Sequence, residues 1–382
     1  GRFASRPALP TGSGNSECLG ELMPSFRRAT VTEILQERPG LQRLAVQMQD
    51  GLSARAYGLT ALTGECALGD QVILNTTAVD LQLGTGGWHV VHWNLSVEEF
   101  ISRGPDHIMK LRYSSLQFDA GTDELTHPEC DLPLAATPVV VCSVHSQVAA
   151  VAAAFAHLAP EKRLVYVMTD GASLPLVISD LIWDLQTRQL IAGTVTAGHA
   201  FGGDLEAVSV PSALGLAVHT LGADAVVVCM GPGVVGTGTA LGTTAVEVAS
   251  ILDTVSALGG TPILCVRASS GDPRPRHRGL SHHTVTIASL TQCSPWVAGT
   301  PATASDLSGV RISDGSAVLD AAEIMESAGL KTTTMGRTVS EDLIFFENAV
   351  AAGALAAEML AAQMLAAEMM PGDAHSAVPP TQ

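Results

Sequence analysis

From Pro138 onward the chain alternates apolar, β-branched runs with alanine- and leucine-rich helical runs. That alternation constrains its architecture more than any other feature. The β-like runs at 139–143, 164–169, 190–196, 225–230, 262–266 and 331–335 are continuous rather than alternating, and all but the last are mainly apolar. A strand apolar on both faces must be covered on both, which happens when helices cross over between parallel strands. Helical patterns lie among them at 147–158, 174–185, 205–221, 241–258, 283–290 and 317–327. The expected fold class is α/β: a doubly wound, mostly parallel sheet forming a Rossmann-like domain over 131–340. A Pro/Ser/Thr-rich loop at 295–309 interrupts the series. Hydrophobic residues make up 47% and aromatics only 4%, so small and β-branched side chains must do the packing. Tight helix–sheet contacts suit them.

Residues 27–130 read differently. Short apolar pieces such as Val46-Gln47-Met48 and Val72-Ile73-Leu74 are separated by Asp50-Gly51, Gly64, Gly69-Asp70 and a glycine-rich turn at 84–87. Closely spaced turns between short strands predict a small N-terminal β-barrel-like domain. Residues 1–26 read as a disordered extension with Met23 a candidate natural start, and 371–382 as a disordered tail. Thr338 and Glu341 form a capping box before a C-terminal helix spanning 341–370. That helix ends in a triple pentad, Leu355-Ala-Ala-Glu-Met359 and its two repeats. Five residues turn a helix by about 500°, so Leu and Met do not make one stripe. The pentads read as duplicated sequence rather than a partner-binding face.

A formal charge of −17 argues against non-specific binding to nucleic acid or anionic lipid. The uncharged stretch 134–160 carries Pro138, His145, Ser146 and Gln147 and reads as strand then helix, not as a membrane span. Seven dispersed cysteines without a C-x-x-C pair fit a reducing cytoplasm. An apolar terminal helix allows for a homo-oligomer.

Ligands of an open parallel sheet bind beyond the carboxyl ends of its strands. The residues that follow the expected strands include His145, Asp170, His199 with Asp204, a glycine turn, and an Arg/His segment. The turn follows the 225–230 run and matches G-x-G-x-x-G through Gly231, Gly233 and Gly236, followed by Thr237. A dinucleotide site would want an acidic residue at the end of the next strand, where the chain has Val266-Arg267. An anion cradle and a purely structural tight turn both remain open. Arg267, Arg274, Arg276 and Arg278 are four of the chain's 20 basic residues, and three of its 12 histidines fall at His277, His282 and His283. Arginines beside a glycine turn read as a clamp on an anion, or as a basic loop paired with the protein's own acids. His199 or His283, oriented by Asp170 or Asp204, would serve as general base. His145, Asp170, His199, Asp204, His282 and His283 could supply metal ligands or acid/base groups, but without H-x-x-x-H or H-E-x-x-H spacing a metal site would have to be assembled from separate loops. No cofactor is named by any motif.

Several strings together resemble one family. They are Asn75-Thr-Thr-Ala-Val-Asp80, His107-Ile-Met-Lys-Leu-Arg112, Val144-His-Ser-Gln147, Met168-Thr-Asp-Gly171, Thr196-Ala-Gly-His-Ala-Phe-Gly-Gly-Asp204, Met230-Gly-Pro-Gly233, Ser281-His-His-Thr284 and Thr334-Met-Gly-Arg337. The chain from about Arg27 to Gly353 is similar to the bacterial family of domain of unknown function 3866. The resemblance implies a bacterial cytoplasmic protein but brings no activity or catalytic residues. It also suggests that Lys110 and Arg112 reach over the sheet edge. The expectation from the residues is an enzyme, a hydrolase or group transferase, acting on a small phosphorylated or otherwise anionic metabolite. Gly231, Gly233, Gly236, Thr237, Arg267, Arg276, Arg278 and His145 would hold the ligand. His199, Asp204, Asp170 and His283 would do the chemistry. A non-catalytic nucleotide or metabolite sensor is the alternative, and an assembly protein the third.

Overall fold

The computed structural model describes residues 24–84, 86–300, 307–313 and 319–369. The expected disordered tail, and the extension up to residue 23, lie outside them. Phe26 already opens a strand. Two compact units divide between Ser102 and Arg103.

The first unit is a closed barrel of β1 (Phe26–Arg38), β2 (Leu41–Met48), β3 (Ser53–Leu59), β4 (Gln71–Asn75) and β5 (Trp88–Asn94). Its strand order is β1-β2-β3-β5-β4. Strands β3 and β5 run parallel, and the other pairs are antiparallel. Alternation along the strands sends Leu44, Val46, Ala56, Val72, Leu74 and Val91 inward. Tyr57 and Trp88 stack on each other at 4.8 Å, with the Arg55 guanidinium 4.6 Å over the Trp88 ring.

The main sheet of the second unit has eight strands: β6 (Pro138–Val141), β7 (Leu164–Thr169), β8 (Gly193–Ala197), β9 (Leu205–Ala207), β10 (Ala225–Met230), β11 (Thr261–Leu264), β12 (Trp296–Ala298) and β13 (Arg311–Ser313). They form one sheet in the order β9-β8-β7-β10-β6-β11-β12-β13, and every registered pair is parallel. Helices α1 (Gln147–Leu158), α2 (Asp180–Thr187), α6 (Ala321–Ser327) and α7 (Leu343–Met369) cover one face. Helices α3 (Val210–Gly215), α4 (Glu247–Ala257) and α5 (His282–Leu290) share the core on the other. The expected α/β fold with its small barrel is what the chain adopts. The central strands are fully buried, with Val140 and Val227 facing one core and Val139 and Val226 the other.

Four details differ from the sequence reading. Residues 331–335 form no strand; Thr334 and Arg337 make only an isolated bridge, and Met335 has φ +48°. The sheet is extended instead by β12, which falls inside the expected loop at 295–309, and by β13 just beyond it. Residues 205–207 form an edge strand rather than the first turn of a helix. Finally, the boundary at 130 moves to 102, because residues 103–131 are tied to the sheet. Lys110 Nζ reaches the carbonyls of Thr196 (3.1 Å) and Ala200 (2.6 Å) and the Glu206 carboxylate (2.6 Å). Asp123 and Glu124 accept from the amides of Glu206 and Val208.

The terminal helix is not an appendage. Phe345, Phe346, Val350, Leu355 and Ala356 are buried in the sheet's core, and Gly353 lets α7 press on the backbone of Val151 in α1. Burial of each large side chain contributes roughly 1.5–3 kcal/mol. By length and composition Leu343–Ala366 could cross a membrane, but 44% of its most apolar stretch is buried inside the protein. Beyond the first pentad, Met364 and Leu365 are 43% and 60% exposed.

Candidate functional site

The loop after β10 is a hairpin-like flap. Thr237 N–H donates to Gly242 O at 2.8 Å, Thr244 N–H to Val235 O at 2.9 Å, and Val235 N–H to Thr244 Oγ1 at 3.2 Å. Threonine hydroxyls at 237, 239 and 244 compete for backbone groups and fold the chain back on itself. Helix α4 therefore starts at Glu247, after a single tight turn over Thr244–Val246. The strand–glycine turn–helix order holds, but the flap stands between the turn and α4, so the helix does not open directly on Gly231 and Gly233. Gly231 is required by close approach, since a Cβ there would overlap the Ser173 carbonyl oxygen. Thr237 spends its hydroxyl inside the flap, 3.1 Å from Gly242 O.

Opposite the flap lies the segment after β11. Arg267 follows the strand, and a two-strand ribbon (Ala268–Ser269 with Gly279–Leu280) folds the chain back. Ser281 then caps α5 through the His283 amide. The two walls enclose an open-mouthed cavity of about 170 Å³, bounded by Val234, Gly236 and Gly238 on one side and Arg267, Arg274, Arg276, His277 and His283 on the other. Gly238, at φ +87°, sits directly against the Arg276 guanidinium, and the Gly236 Cα faces His283 Nε2.

The charges in this region are unevenly matched. Buried Asp272 holds Arg274 in a two-pronged pair at 2.7 and 2.9 Å, with Arg337 3.5 Å away. The bonds from Arg274 keep the Asp272 carboxyl far below the usual range. Arg337 also pairs with Asp342 at 2.9 Å. Arg267 is different. It is 4% exposed, and among the described residues no carboxylate lies within 4.0 Å of its nitrogens. Its Nη1 donates to His283 Nδ1 at 3.0 Å. Burial, with Arg274 nearby, pushes its pKa down to about 10. Burial and then Arg267 push His283 down to about 3, while burial and Arg267 take His277 to about 4. His283 is thus neutral at physiological pH. With Nδ1 accepting, its proton sits on Nε2 and points toward the flap.

The other sequence candidates are employed elsewhere. His145 bonds Met230 O through Nδ1 (3.0 Å) and Ser179 Oγ through Nε2 (2.8 Å), and burial lowers its pKa to about 4. It locks β10 to α2 and does not line the cavity. Asp170 accepts the His199 backbone N–H at 2.9 Å, and His199 Nδ1 accepts the Leu111 N–H at 3.0 Å, so the expected side-chain pairing between them is absent. Asp204 accepts from Thr194 N and Oγ1 at 2.8 and 3.0 Å. Thr194 lies near the start of β8 and Asp204 just before β9. The loop between these parallel strands must run back along the sheet, which carries Asp204 to the amino edge and not the expected carboxyl edge. Arg278 donates to the Asp272 carbonyl at 3.1 Å and braces the loop.

The sequence singles out Arg267, Arg276 and His283 for the site and counts His282 among possible metal ligands or acid/base groups, but gives no role to His277 or Glu247. The spacing His277, His282, His283 is the available signal for His277. Nothing local marks Glu247, whose environment is made by β7.

Fold and site together define an α/β protein with a five-stranded barrel and a cationic cleft at the carboxyl edge of its sheet. The chain belongs to the family described as protein of unknown function (DUF3866), whose profile matches residues 55–353. No curated protein and no solved structure matches it.

Proposed function

We propose that the cleft holds a small phosphorylated or otherwise anionic metabolite, and that the chain acts on it as a hydrolase or group transferase. The observation that carries this reading is Arg267. A buried guanidinium touching no carboxylate is costly, and only the longer-range attraction of Asp272 and Asp342 offsets it, so an anion in direct contact would be favoured. The anion would accept from Arg267, from Arg276 under Gly238, and from the His283 Nε2–H, with the flap as a roof. His283, neutral with its proton on Nε2, is placed to hydrogen-bond and stabilise negative charge developing on a transferred or leaving oxygen. The second reading, a non-catalytic metabolite sensor, is favoured by the structural employment of Asp170, His199 and Asp204. Free cysteines at 66, 130, 142, 229, 265 and 293 support a cytoplasmic setting.

Calorimetric titration of metal-free protein with inorganic phosphate tests the site. Saturable binding that weakens roughly tenfold or more in a folded Arg267→Met variant is expected. Equal affinity in that variant would overturn the reading. Mass spectrometry of natively purified protein, followed by a turnover assay on the anion found, separates enzyme from sensor.

A further inference from the structure

Beside the cleft, His277, His282 and His283 form a cluster that the anion reading leaves unexplained. Their ring centroids lie 4.4–4.9 Å apart. One potential ligand nitrogen on each lies within 4.8 Å of the other two. His282 Nε2 is buried with no hydrogen-bond partner, and an orphaned buried nitrogen calls for an occupant. His277 Nδ1 is 2.8 Å from Ser281 Oγ. Donation to that hydroxyl frees its Nε2 lone pair and orients the ring, as outer partners of metal-bound histidines do.

We propose that these three imidazoles form a site for a divalent transition-metal ion of the zinc, cobalt or nickel type, and that the ion binds together with the anion of the cleft. This rests on the anion reading above. The donor set is all nitrogen, which selects such ions over magnesium or calcium. Tetrahedral ligation at zinc–nitrogen lengths needs nitrogens about 3.4 Å apart, so a pair at the 4.8 Å limit closes by about 1.4 Å through side-chain rotation.

The coupling follows from Arg267. A guanidinium only donates, so His283 Nδ1 accepts from it, and the His283 proton sits on Nε2. Ligation through Nε2 moves that proton to Nδ1, and ligation through Nδ1 takes the lone pair that Arg267 now occupies; in both cases Arg267 must leave. An anion in the cleft gives Arg267 another acceptor and offsets the added positive charge. The metal then takes three imidazoles and presents its fourth position to the anion.

Cobalt(II) titration of the metal-free full chain, followed by its visible d–d absorption, tests this. One tetrahedral cobalt per chain is expected, with affinity raised roughly tenfold by phosphate. His282→Ala should lose the cobalt spectrum while the metal-free variant still binds phosphate as the parent does. Arg267→Met should bind cobalt without needing phosphate. Absence of cobalt binding with and without phosphate, or an unchanged spectrum in His282→Ala, would overturn the metal site. Phosphate-independent cobalt affinity in the parent chain would overturn the coupling. Phosphate binding by metal-free protein is scored separately, so the anion reading stands or falls by itself.

Discussion

Glu247 opens α4 with its carboxyl against Gly171 and its Oε1 accepting from Thr169 Oγ1 at 2.6 Å. Burial, helped by nearby Asp170, lifts its pKa from 4.5 to about 7. The sign is set by which state keeps the proton. Between those two values the folded chain retains it and the unfolded chain has released it, so stability falls as pH rises through this window and levels off above it. The loss is on the order of 3 kcal/mol. Glu247→Gln should therefore flatten the decline in urea-unfolding free energy between pH 5 and pH 8 relative to the parent chain. An identical slope in the variant would show that Glu247 is not the responsible group.

The flap teaches what an element owes to its glycines. Valine at Gly236 would cover His283 Nε2 while leaving the surrounding hydrogen bonds in place, so Gly236→Val should bind phosphate roughly tenfold more weakly and melt near the parent temperature. Gly231→Ala should do the reverse to the fold, losing roughly 1–3 kcal/mol because its methyl meets the Ser173 carbonyl. Calorimetry and thermal melts on both variants decide this, and a Gly236→Val protein with parental affinity would remove the flap from the site. The contrast also marks how far local pattern reaches. Strands β7 and β10 were legible to the residue, because an unbroken apolar run has one reading in a parallel sheet. The flap was not, because its shape depends on threonine hydroxyls pairing with backbone groups three to nine residues away. Arg267 and His283 were legible as residue types. Their mutual bond, and the lack of an acid beside Arg267, depend on which distant carboxylates the fold brings near. Asp204 was misplaced because its loop length permitted either edge.

At the scale of the molecule, α7 completes the core of the second unit. Removing residues from 361 onward should leave the melting temperature within a few degrees of the parent. Ending the chain after Asp342 strips Phe345, Phe346, Val350 and Leu355 from the core. That forfeits about 6–12 kcal/mol, comparable to a domain's whole stability. Far-ultraviolet circular dichroism of the two truncated chains is the check. A cooperative, parent-like melt in the shorter one would show that α7 is dispensable.

Lys110 sets an order of events. Its ammonium is 1% exposed, and its acceptors lie 86, 90 and 96 residues further along the chain. During synthesis residue 110 leaves the ribosome long before Thr196, Ala200 and Glu206 do. The groups that hold it in the folded protein do not yet exist, and a charged ammonium is not buried without them, so the segment from 103 to 131 is expected to stay in water until β8 and β9 have formed. A stretch made early is seated late, and a nascent chain arrested before Glu206 should still expose Lys110 to amine-reactive labels.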